Sequence, residues 1–393
     1  MSNKNTPLLL RGASIITPDG PLEGAALLVE NGRIARVFAD ERDTPRQVDA
    51  LNLDGLQLWP GFVDLHIHGA RGVDVNEADA DGLRSVSQYL VAQGVTAWLP
   101  TLVPGPAEEY QRAARAVGAL MRGETATGAR AIGLHYEGPF VNEQQCGALR
   151  TAYFRQYQSA ADLDGLQEVA AAGAIHLTTL APEVLGGIEL TRELARRGWV
   201  VSLGHTRADL DTLDAALAAG ASHITHFMNA MPPLHHRAPG PAGWGLAHDE
   251  ITCDIIADGI HLHPLALQLI VKAKGAARVA LISDAVAPAG LGDGDFAVWG
   301  ETISVRGRRT ANARGSIAGS VISLGDAVKM MLSLGFAPAA VAQMAAATPA
   351  RVLRVGAETG SIETGKRADL TALDADGNAR LTIVGGEIVF AAP

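Results

Sequence analysis

Eight short apolar runs alternate with polar, helix-forming stretches through the middle of this chain, and that count constrains the fold more than any other feature. The runs cover residues 62–66, 95–101, 131–137, 175–180, 200–205, 222–226, 252–257 and 279–284, and each reads as a buried strand. Between the first two, residues 81–93 carry Leu83, Val86 and Leu90 at helical spacing and stop at Gly94. Pro106 suits the first turn of a second helix running to about Met121. A doubly wound sheet would be the default for fewer units. Eight strands, mostly with helices between, is the arithmetic of a parallel barrel. The expected fold is therefore α/β: a (β/α)8 TIM-like barrel over residues 59–355.

Both ends of the chain differ from this pattern. Near the start, Asn31-Gly32 separates two apolar runs, a strong hairpin signal because both turn residues must take positive φ. Residues 8–16 form a further apolar run, closed by Thr17-Pro18-Asp19-Gly20. The last forty or so residues repeat the style, with turn residues at 374–378 and at Gly385-Gly386. Residues 1–58 and 356–393 are thus expected to form one small β-sandwich domain from both termini.

At 393 residues and 48% apolar, the chain can bury the core both units need. Its 32 Lys and Arg against 42 Asp and Glu leave a net charge of −10, which disfavours nucleic acid and anionic membrane as partners. An anionic small substrate stays open, since one or two local cations suffice. Cys146 and Cys253 cannot build a disulfide framework or a Cys-rich zinc site. The first twelve residues lack the apolar core of a secretory signal, and no apolar run approaches the ~18 residues of a membrane helix. A cytoplasmic protein is expected.

Polar residues recur where the barrel runs end. His66 and His68, Glu137, His205, His226, Asp258 and Asp284 all fall at the C-terminal ends of runs, where a barrel carries its active site. Residues i and i+2 of a strand face the same way, so His66 and His68 can chelate one ion. Imidazoles with a carboxylate suit Zn or a similar divalent metal, with Fe also compatible. A single histidine of this kind is more often structural, but repetition at separate strand ends weakens that reading. His176, His223, His248 and His263 lack such placement and read as structural. None of the five lysines lies at a strand end, so Glu137 is the well-placed candidate for a carboxylate bridging two metals.

The stretches PGFVDLHIHG (60–69), GLHYEGPFVN (133–142), VSLGHT (201–206), THFMNAMPPLHHRAPG (225–240), IADGIHLHP (256–264), ISDAVAPAG (282–290), GSIAGS (315–320) and GKRADL (365–370) resemble the N-acetylglucosamine-6-phosphate deacetylases of the amidohydrolase superfamily. They stand in family order across nearly the whole chain. The resemblance implies metal ligation by Glu137, His205 and His226, with His66 and His68 open to a second ion, so one or two per subunit. It implies Asp284 as catalytic acid/base. Substrate contacts implied are Ala148, Asn229, Ala230, Arg237, Asp258, Gly259, Ile260 and His261, with Ile317, Ala318 and Gly319, and with Arg237 and His261 near the sugar phosphate. It further implies a homodimer acting on a phosphorylated amino sugar. One departure stands out: the family usually reads Gly-Ala-His after the Glu137 motif, and here it is Gly147-Ala148-Leu149. The missing imidazole would contact substrate, and Leu149 cannot donate a hydrogen bond.

The residues suit this chemistry. Amide hydrolysis needs an activated water, a polarised carbonyl and a proton for the departing amine; a divalent metal supplies the first two, and Asp284 can carry the proton. Arg237 offers the planar fork that suits phosphate. Two other readings remain: an amidohydrolase for another N-acyl amino sugar phosphate, such as N-acetylgalactosamine 6-phosphate, and a sugar-phosphate-binding sensor without turnover. A sensor has no need of Asp284.

Overall fold

The structure is a computed structural model that describes residues 6–123 and 127–392; the start of the chain, on which part of the targeting expectation rests, lies outside them. Eight parallel strands follow one another around a barrel: β1 (Phe62–Ile67), β2 (Val95–Leu102), β3 (Gly133–Glu137), β4 (Ile175–Leu180), β5 (Val200–Leu203), β6 (Ala221–Ile224), β7 (Thr252–Ile256) and β8 (Val279–Ile282). Closure runs from β8 back to β1: Asp284 N donates to His66 O at 2.9 Å, and His68 N to Ala285 O at 2.8 Å. Both faces of these strands are buried, which is why they read as continuous apolar runs rather than as alternation.

Helix Ala80–Val91 fills the first crossover. Asp79 caps it by accepting from Gly82 N at 2.8 Å, and Leu83, Val86 and Leu90 face the barrel. Its partner spans Ala107–Arg122 with Pro106 just outside as the cap residue. Further helices follow β4 to β8, but residues 138–174 between β3 and β4 hold only short 3-10 turns among the loops. That crossover departs from the strict β/α alternation expected.

The expected strand over 8–16 is two strands, Leu8–Arg11 and Ser14–Thr17, in different sheets. Gly12 makes the corner at φ 84, where a Cβ would meet Asp54 Oδ1 at 2.2 Å. A four-stranded sheet from the N-terminal segment and a six-stranded sheet mixing both termini share an apolar core including Leu10, Leu27, Leu58, Leu370 and Ile383. The hairpin at Asn31-Gly32 forms, with φ 51 and 73. A three-stranded antiparallel sheet, Gly294–Val298, Glu301–Arg306 and Arg309–Ala311, follows β8 and was not anticipated. Among the described residues no helix is long and apolar enough to cross a membrane.

Candidate active site

Three of the residues predicted at strand ends leave the strands in left-handed conformations. His205, His226 and Asp284 each stand two residues past the ends of β5, β6 and β8, with left-handed φ of 48°, 31° and 49°. A non-glycine residue there costs about 1–3 kcal/mol and persists only when its surroundings over-determine it. They do so here. Asn142 N donates to His205 O, Phe227 N to Asp254 O, and Ser320 N to Asp284 O, all at 2.7–3.0 Å. Asp254 also accepts from the backbone N of His226 and lies 2.9 Å from His223 Nε2. His223, read as structural, thus braces the turn that aims His226. Glu137 ends β3, while His66 lies within β1 and His68 just past it.

These turns bring the side chains to one point. Glu137 Oε1 lies 2.9 Å from His205 Nε2 and 3.0 Å from His226 Nε2, and those two nitrogens are 3.1 Å apart. On the other side, His68 Nε2 is 3.3 Å from Glu137 Oε2, 3.2 Å from Asp284 Oδ1 and 3.1 Å from His66 Nε2. His66 Nε2 lies 3.4 Å from Asp284 Oδ1. Glu137 Oε1 thus serves His205 and His226, with His66 Nε2 at 3.8 Å, while Oε2 faces His68.

The tautomers decide what this arrangement can hold. His205 Nδ1 faces the Gln145 carbonyl at 2.7 Å and His68 Nδ1 the Thr101 carbonyl at 3.3 Å. A carbonyl only accepts, so each Nδ1 carries the proton, and in the neutral ring Nε2 presents a lone pair. Lone pairs then face carboxylate oxygens and each other, an arrangement that requires a cation among them. Metal–nitrogen bonds of about 2.0–2.1 Å in a tetrahedron put donor atoms roughly 3.3 Å apart, close to the spacing seen. The donor set fits a divalent metal in two groups, His66–His68–Glu137 and Glu137–His205–His226.

Electrostatics agree. Burial pushes the Glu137 carboxyl up, but His205, His226 and His66, when protonated on Nε2 in the absence of metal, hold it well below the usual carboxylate range. Burial likewise opposes ionisation of Asp284, and His66 and His68 keep it lowered. Desolvation works against a charged His68, yet Asp284 and Glu137 lift it to about 10. The cluster favours positive charge among its donors, whether proton or metal ion.

Above the cluster is a cavity of about 250 Å³. Ala148, Asn229, Ala230, His261, Ile317 and Gly319 line it, together with Leu149 and Trp299. Asp258, Gly259, Ile260 and Ala318 do not reach it. Asp258 instead fixes His261: its Oδ2 accepts from His261 Nδ1 at 2.7 Å and its Oδ1 from the backbone N of Ile260 and His261 at 2.8 Å each. Burial would raise the Asp258 carboxyl, and the His261 contact holds it low. Arg237 does not join the cavity either. It is exposed on the loop after β6, its Nη1 2.8 Å from His236 Nε2, because the proline-flanked segment 232–239 turns outward over a bridge between His235 and Ala238.

Residues the sequence reading passed over also meet here. His135 is fully buried, its ring 4.6 Å from that of His66, and Thr179 and Thr101 flank its nitrogens at 2.8 and 3.3 Å. Burial drives its pKa well below the ordinary value, so it stays neutral. Asp64 accepts from the backbone N of His66 and Ser283, and burial raises its carboxyl to about 6. Both precede a named ligand by two residues, so strand alternation could have flagged them. Trp299 carried no such signal.

The amidohydrolase family pattern matches residues 58–389. The chain belongs to the amidohydrolase family. It is 34% identical over 389 residues to the N-acetylglucosamine-6-phosphate deacetylase of Bacillus subtilis, covering 98% of this chain and 97% of that one. It is also 34% identical over 368 residues to the N-acetylgalactosamine-6-phosphate deacetylase of Escherichia coli O157:H7, covering 93% and 95%. The crystal structure of N-acetylglucosamine-6-phosphate deacetylase from Pasteurella multocida superposes on this amidohydrolase with a TM-score of 0.89 at 31% identity, covering 97% and 99%. That structure and this one share the barrel and the accompanying sheets.

Proposed function

We propose that this amidohydrolase removes the acetyl group of N-acetylglucosamine 6-phosphate, giving glucosamine 6-phosphate and acetate. The observation that carries the reading is the convergence of Glu137 with four imidazoles, with Asp284 across from it, beneath a cavity of sugar size. Near-full-length identity to deacetylases of phosphorylated amino sugars supports the substrate class.

Glu137, His205 and His226 are the residues that would hold a divalent metal, zinc being the best match to this donor set, and His66 and His68 with Glu137 offer a further site. A metal there lowers the pKa of water and polarises the acyl carbonyl. Asp284 accepts the proton released as water adds to that carbonyl, and returns it to the nitrogen as the C–N bond breaks. Asn229, Ala230 and His261 line the cavity and orient the sugar phosphate, with His261 held by Asp258. The reading includes a cytoplasmic homodimer.

Leu149 in the cavity wall, together with the equally similar E. coli relative, favours a second reading in which N-acetylgalactosamine 6-phosphate is the substrate. Acetate release measured on both 6-phosphorylated epimers, and on unphosphorylated N-acetylglucosamine, tests both. Faster turnover of the gluco epimer is expected. Turnover of neither phosphorylated sugar would overturn the function.

A further inference from the structure

Trp299 breaks a local rule beside the metal-ligand cluster. It sits with Gly300 in the two-residue turn between paired Val298 and Glu301, at φ 56 and 80. Such a turn needs positive φ at both central positions and ordinarily takes Asn, Asp or Gly first. A bulky aromatic there is strained, and strain in an otherwise regular hairpin points to function. The ring is 7% exposed and packs edge-on against His68, with centroids 5.2 Å apart. It lines the same cavity as Leu149 and shares an apolar cluster with Ala148 and Leu149. Its Nε1–H is buried and has no hydrogen-bond partner among the described residues. A buried, unmatched donor is disfavoured in the free protein unless a bound acceptor completes it.

We propose that the Trp299 indole N–H donates to the acyl carbonyl oxygen of the substrate. This rests on the deacetylase reading above. On that reading the scissile carbonyl approaches the cluster formed by Glu137, the imidazoles and Asp284, and Trp299 packs against His68 of that cluster. Leu149, in the same cavity wall, has no donor to offer, whereas Trp299 carries one. Charge grows on the carbonyl oxygen as water adds, so the contact strengthens in the transition state.

Trp299→Phe keeps the ring and removes the donor. Expected is a fall in kcat for acetate release from N-acetylglucosamine 6-phosphate of about 10²-fold, the size typical of losing one oxyanion donor, with KM and bound metal little changed. A kcat within twofold of wild type overturns the proposal, as does a loss confined to KM. Should the variant fold poorly, the indole N–H resonances of the five tryptophans decide, followed in the slow Asp284→Asn protein. The Trp299 signal should move downfield with N-acetylglucosamine 6-phosphate and not with glucosamine 6-phosphate, which lacks the carbonyl. An unmoved signal, or equal movement with both, overturns the contact. Wild-type protein that releases no acetate from either epimer overturns the function reading and this inference together, whereas active wild type with an unaffected variant overturns only the inference.

Discussion

Asp284→Asn separates proton transfer from everything else the residue does. Asp284 holds φ 49, a conformation that asparagine tolerates better than most residues, so the backbone turn should survive. Its backbone closes the barrel through Asp284 N to His66 O at 2.9 Å and Ser320 N to Asp284 O at 2.7 Å, and neither bond involves the side chain. The amide can still present an oxygen near His68 Nε2, where Oδ1 now stands at 3.2 Å. What it cannot do is take a proton from water and return it to nitrogen. A positioned acid/base contributes typically ~10²–10⁴-fold, about 2.7–5.4 kcal/mol of barrier, so kcat should fall by that range. Acetate release, metal content by elemental analysis and the denaturation midpoint should be measured on one preparation. Wild-type kcat in the variant, or activity lost only in proportion to lost metal, would refute the proton-shuttle reasoning and leave Asp284 as a ligand.

Three further outcomes are expected. His205→Ala and His226→Ala should each lose most bound metal, and more than His66→Ala or His68→Ala, because the first two close a tight group with Glu137 Oε1; full retention in both would count against that assignment. Glu137→Gln should deplete metal at both groups together, since Glu137 belongs to both, and loss from only one group would argue against bridging. Asp369→Asn should destabilise the fold by about 2–3 kcal/mol at pH 7, below the 3–5 of a fully buried pair because Arg130 and Arg367 are each near 30% exposed. Burial opposes the charged Asp369, but Arg130 and Arg367 hold its pKa below the ordinary 3.8, so its contribution is present above that pH and fades as pH falls through the depressed value. Urea midpoints of wild type and variant should converge in acid, and a difference that persists undiminished there would contradict this.

The strand count and the convergence of polar strand ends were legible because both follow from local pattern. A strand buried on two faces must be apolar throughout, and the residue types that bind metals are conspicuous where such runs stop. The ends themselves were less legible. Runs 200–205, 222–226 and 279–284 were read as strands to their last residue, but hydrogen bonds from neighbouring segments turn His205, His226 and Asp284 out of the strand. Nothing in a short window encodes those partners, since Asn142, Asp254 and Ser320 come from other segments of the chain. Arg237 shows the converse: a motif carries residue types faithfully, but not the direction in which a proline-bounded loop leaves the barrel.

The hairpin after β8 illustrates why local inconsistency is informative. Asp, Gly and Arg through residues 292–309 masked its alternation, and Trp299-Gly300 lacks the usual turn signature. Once the pairing of Val298 with Glu301 is known, Trp299 stands where Asn would be favoured, and some other requirement must hold it there. Apolar burial alone does not supply that requirement, because a phenylalanine would bury as well without stranding an N–H. The other left-handed residues of the cluster obey the same logic: His205, His226 and Asp284 accept backbone strain at the positions where their side chains meet. In this barrel, the sequence is least predictive of backbone conformation at the residues that form the active-site wall.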